Sequence, residues 1–161
     1  MRFVKLALTA AIIAGAVVAI RYVSWTPVRC NDVALNVSRR MQQMMTWSDR
    51  TGIVVATREN IARLEPCRGR VPWNINLHLL VAANYAARDM HEDAIRVYEE
   101  ALQYDRRPEI YFNLGLEMLK AGRVDEAVAQ LTTACKIRTD FVDEIPDHDT
   151  QNRVVAAMGP E

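Results

Sequence analysis

The feature that most constrains this chain is an internal repeat. Residues Ile75 to Arg107 read INLHLLVAANYAARDMHEDAIRVYEEALQYDRR, and Pro108 to Thr139 read PEIYFNLGLEMLKAGRVDEAVAQLTTACKIRT. Aligned so that Ala94 falls on Ala127, a period of 33 residues, the two halves agree in physical type. Val81-Ala82 lies on Leu114-Gly115, Tyr85 on Met118, Tyr98 on Leu131 and Ala101 on Ala134. A unit of that length cannot bury its apolar face alone, and stacking with its neighbour is the remedy.

Spacing within each half specifies the unit. Tyr111, Leu114, Gly115 and Met118 recur at three and four residues, as one helical face requires; after Ala121-Gly122, Ala127, Val128, Leu131, Ala134 and Cys135 do the same. Each half is therefore a helix, a turn and a helix. Small residues stand where the paired helices approach: Ala82 or Gly115 on the first, Ala94 or Ala127 on the second. A glycine inside a helix costs about 1 kcal/mol relative to alanine, so Gly115 needs a packing reason. Asp125 and Glu126 fall in the first turn of their helix, where the dipole favours acids.

These residues carry a resemblance. Tyr111-x2-Leu114-Gly115-x2-Met118, then Ala121-Gly122-Arg123-Val124-Asp125-Glu126-Ala127, then Leu131 and Ala134, closely resembles a tetratricopeptide repeat. The first half resembles one with departures: His78 stands where the family prefers tryptophan or another large residue, Ala82 replaces the glycine, and Asp89 occupies the usual turn glycine. The resemblance spans about 65 of 161 residues and implies a scaffold with a concave groove for a protein partner. At the family's groove-facing positions stand Asn76, Leu79, Ala83 and Ala86 in the first repeat, and Glu109, Phe112, Asn113, Leu116 and Lys120 in the second. Leu79, Ala83, Phe112 and Leu116 replace the polar residues with which some members clamp a peptide's terminal carboxylate. An apolar groove suits a helical or hydrophobic segment instead, or is filled by the chain's own tail or first hairpin.

Asn31 to Pro66 reads as a degenerate first layer. Val33, Val37, Met41, Met44 and Met45 mark one helical face, Trp47-Ser48-Asp49 a break, and Ile53, Val54, Ile61 and Leu64 a second helix that Pro66 ends. In an antiparallel hairpin the start of the first helix and the end of the second are neighbours, which brings Cys30 near Cys67. A disulfide there would close a loop of 38 residues, counting both cysteines, and stabilise the layer by roughly 3 to 4 kcal/mol. Such bonds persist outside the cytosol. Cys135 reads as a small core residue, and Trp73 as a cap on the junction after the turn Arg68 to Pro72.

Leu6 to Ile20 is apolar or small apart from Thr9, preceded by Arg2 and Lys5 and followed by Arg21, Tyr22 and Trp25. Two readings compete. A signal peptide has this layout, with Ala14-Gly15-Ala16 as a cleavage site. An uncleaved anchor needs about 20 residues, which Phe3 to Val23 supplies if Lys5 and Arg21 snorkel; this is the favoured reading. Ala7, Ala11, Gly15 and Ala19 fall at intervals of four and give a face of small residues against which another transmembrane helix could pack. Alanine-rich signal segments also produce such a stripe by chance.

No catalytic or metal-binding constellation appears. His78, His91 and His148 lie in separate elements, and no zinc, protease or phosphate-loop motif occurs. Twenty basic residues balance 20 acidic ones, which argues against a nucleic-acid footprint. Beyond Thr139, Phe141 to Pro146 reads as irregular, and Asp147 to Asp149 caps a short helix with Val154, Val155 and Met158 as its apolar face.

The sequence thus predicts an all-α fold: a short tetratricopeptide-type solenoid of helical hairpins behind an N-terminal transmembrane helix. Residues 1–25 are the anchor or uncleaved signal, 26–72 the first hairpin, 73–139 the two repeats and 140–161 a cap. The expected role is an extracytoplasmic binding scaffold or accessory subunit of a bacterial envelope complex, single-pass in the inner membrane through residues 3–23, with its repeats in the periplasm. Neither enzyme activity, cofactor nor metal is expected. A purely structural subunit held by its transmembrane helix and a cleaved soluble adaptor are the alternatives.

Overall fold

The computed structural model describes residues 12–20, 25–44 and 46–159. Residues 12–20 are helical. Then follow α1 (Thr26–Met44), α2 (Arg50–Arg70), α3 (Ile75–Ala86), α4 (His91–Ala101), α5 (Pro108–Lys120), α6 (Val124–Ile137), a 3-10 turn (Thr139–Glu144) and α7 (His148–Met158). Each helix contacts the next, α1 also reaches α3, and α7 closes on α6. The order is that of stacked hairpins. Among the described residues no helix is long and apolar enough to cross a membrane. The stripe Ala7 and Ala11 lies outside the described residues, while Gly15 and Ala19 are exposed on residues 12–20.

Helix boundaries follow local chemistry. Asp49 caps α2, its carboxylate accepting from the amides of Thr51 and Gly52 at 3.0 and 2.9 Å. Glu92 and Asp93 open α4, and Asp125 and Glu126 open α6. Pro108 begins α5, where its missing amide hydrogen is no loss. The turn glycine of the second repeat, Gly122, has φ 79°; Asp89 at the matching place in the first adopts φ 57°. Aspartate is among the few residues that tolerate that region, and Arg50 of α2 holds its carboxylate.

Gly115 has the expected packing reason. A Cβ there would lie 2.6 Å from Leu131 Cγ and 3.2 Å from the Ala127 carbonyl oxygen, so α5 and α6 can touch only at a glycine. One core joins the first hairpin to the first repeat and the facing side of the second through Val37, Leu64, Leu77, Val81, Ile95 and Leu114. A second joins the last repeat to the tail through Phe112, Leu131, Cys135, Phe141, Ile145 and Val154.

Four expectations are corrected. Pro66 does not end its helix: α2 runs on to Arg70. Proline removes one amide donor, but Ala62 and Pro66 are exposed, so the freed carbonyl meets water. Beyond it, Cys67 is bonded to Cys30 and Arg68 pairs with Glu65 and with Glu100 of α4. Trp73 caps nothing, being 64% exposed. In the tail, Thr139–Glu144 forms a 3-10 turn rather than irregular chain, and Val155 faces solvent while Thr150 and Val154 are buried. Thr150 is held by Asp147, which accepts from both its amide and its hydroxyl.

Candidate functional site

The first helices of successive hairpins, α1, α3 and α5, supply the candidate surface. Between α1 and α3 lies a cleft of about 250 Å³, lined by Ala34, Leu35 and Ser38 on one side and Asn76, Leu79 and Leu80 on the other. Leu35 is 49% exposed. Two of the groove positions, Asn76 and Leu79, thus face an open cleft whose opposite wall is the first hairpin. Sequence reading missed that wall, because Leu35 lies off the apolar face that specifies α1.

The second repeat is arranged differently. Phe112 is 5% exposed and stacks on Phe141 of the 3-10 turn with ring centroids 4.4 Å apart. The Arg138 guanidinium lies 3.9 Å over the Phe141 ring and pairs with Glu109 at 3.0 Å. Leu116 packs against the same core. Lys120 pairs with Glu117 at 2.7 Å, and Ala83, Ala86 and Asn113 are half-buried. The chain's own tail therefore covers Phe112.

Two polar features were not legible in advance. The side-chain amide of buried Asn60 on α2 donates to Oδ1 of Asn84 on α3 at 2.9 Å, and Asn84 Nδ2 donates to the Leu80 backbone carbonyl at 2.7 Å. His91 Nδ1 lies 2.7 Å from a carboxylate oxygen of buried Glu117, tying α4 to α5. The only hint was composition: asparagine and glutamate at positions whose helical neighbours are apolar. His78 is buried at the family's large-residue position, its Nε2 2.8 Å from the Pro72 carbonyl and its Nδ1 without a partner. Burial pushes its imidazole below the usual histidine range.

Cys30 and Cys67 form a disulfide, with Cα atoms 5.3 Å apart. Cys135 is free and buried, and burial pushes its thiol up, away from reactivity. Among the described residues no group of three His, Cys, Asp or Glu side chains could hold a metal ion. The arrangement offers surface for binding and ties between layers.

Similarity to a known structure decides the architecture. A thermophilic TPR protein of Thermus thermophilus superposes with a TM-score of 0.64 at 22% identity, covering 96% of this chain and 75% of that one. The fold resembles that of a TPR protein. No family model matches the chain, and no curated protein shows significant similarity to it. The structural likeness is one of fold: helical hairpins stacked in chain order.

Proposed function

We propose that this chain is a membrane-anchored, extracytoplasmic scaffold, acting as an accessory subunit of a bacterial envelope complex with its repeats on the periplasmic side of the inner membrane. One observation carries the compartment: the Cys30–Cys67 disulfide that ties the first hairpin. Bonds of that kind persist in the periplasm and are rare in the cytosol. The apolar run Leu6 to Ile20 supports the anchor.

The partner is a protein with a helical or apolar segment, which suits the cleft walled by Leu35, Leu79 and Leu80. A second reading is a structural subunit held by its apolar helix. Phe141 favours it, because the tail closes the second repeat's share of the groove.

Affinity purification of the intact tagged chain in mild detergent tests these readings. The scaffold reading expects a defined set of membrane proteins, lost when Leu79→Asp or Leu35→Asp is introduced. Loss instead with Ala11→Leu and Gly15→Leu would install the structural subunit. A chain recovered cleaved and alone would refute the anchor.

A further inference from the structure

A second cleft, of about 330 Å³, lies where the first hairpin begins and ends. Arg29 of α1 and Arg63 and Arg70 of α2 line it around the disulfide, with Trp25 at its rim. Arg63, Cys67 and Arg70 recur at four and three residues, so they share one face of α2. Arg29 precedes Cys30. The disulfide therefore fixes all three guanidinium-bearing helix turns together.

None of these arginines has an ion-pair partner among the described residues, and no acid lines the cleft. The nearby carboxylate Glu65 is taken by Arg68. A helix C-terminus favours Arg70 by its dipole, which leaves Arg29 and Arg63 unexplained. Like charges gathered without counter-charge repel one another. An anion removes that repulsion, and guanidinium forks match phosphate oxygens.

The surroundings select the kind of anion. Trp25, Val28 and Trp73 near the hairpin end are 58%, 62% and 64% exposed, and the apolar run ending at Ile20 stands five residues ahead of Trp25. Exposed tryptophan beside an apolar segment suits the headgroup layer, where basic pockets bind anionic headgroups. Resting on the membrane-anchored reading above, we propose that Arg29, Arg63 and Arg70 hold the phosphate of an anionic phospholipid in the leaflet from which the repeats project.

The test is native mass spectrometry of the full oxidised chain in detergent doped with phosphatidylglycerol or phosphatidylcholine. Wild type should retain phosphatidylglycerol selectively. Each arginine near an anionic surface is worth about fivefold, so R29Q/R63Q/R70Q should lower retention on the order of a hundredfold. The charge-matched variant R39Q/R58Q/R106Q should leave it unchanged, and reduction of the disulfide should weaken it. Equal retention by the two triple variants would overturn the site. Inorganic phosphate binding through the three arginines with no preference for phosphatidylglycerol would overturn the lipid assignment. An alkaline wash of membranes reads the anchor separately. A chain that washes off yet retains phosphatidylglycerol through these arginines refutes only the anchor; one that stays without arginine-dependent retention refutes only the site.

Discussion

At the scale of single residues, two positions carry consequences out of proportion to their size. Gly115 is the contact point of α5 and α6. Gly115→Ala gains about 1 kcal/mol of helix propensity, but the new methyl collides with Leu131 and approaches the Ala127 carbonyl. Overpacking of this kind costs about 1 to 3 kcal/mol, so denaturant unfolding should show a net loss of about 1 kcal/mol. Combined with Leu131→Ala, the loss should be smaller than the sum of the two single changes. An additive pair would mean that the helices do not meet there. His78 binds fewer protons when folded than when unfolded, because burial holds its pKa below the ordinary 6.5. The stability this histidine lends is full above about pH 6.5 and is lost as the pH falls below that value. Thermal melts between about pH 7.5 and 5.5 should therefore show a decline that is shallower in His78→Phe; an equal decline in both chains would place its cause elsewhere.

At the scale of elements, the tail is the part whose role can be isolated. In a solenoid each layer interacts with its neighbours alone, so damage at one end should remain local. Phe141→Ala removes a ring that stacks on Phe112 and lies under Arg138, a change that costs about 3 kcal/mol or more at a buried phenylalanine. Hydrogen exchange should then quicken over the 3-10 turn and α7 while α2 to α4 keep their protection; uniform acceleration would show one cooperative unit instead. The repeats themselves were legible in the sequence, because Leu114, Gly115, Ala127 and Leu131 encode both helical period and close approach. So was the pairing of Cys30 with Cys67, which needs only an antiparallel hairpin. The continuation of α2 through Pro66 was not legible, since local propensity gives no notice of the disulfide and the Arg68 ion pairs that hold the next turn. The covering of Phe112 by the tail was one of the open readings of the groove, and local pattern could not decide it, because it depends on where a 3-10 turn delivers Phe141.

At the scale of the whole molecule, three features come together: a hairpin stack, a disulfide that closes its first layer, and an apolar run ahead of it. The stack supplies surface; in the proposed function the disulfide marks an oxidising compartment and the apolar run sets the stack at a membrane. The disulfide is the point on which the proposed compartment rests, because a reduced Cys30–Cys67 pair would remove its support. The direct measurement is thiol trapping in intact cells. The chain is acid-quenched, denatured and alkylated, then recovered from the membrane fraction, reduced, alkylated with a second reagent and weighed. The account predicts a membrane-bound chain with one thiol blocked at first, Cys135, and two that appear only after reduction. Three thiols blocked before reduction, or a chain found wholly in the soluble fraction, would contradict it.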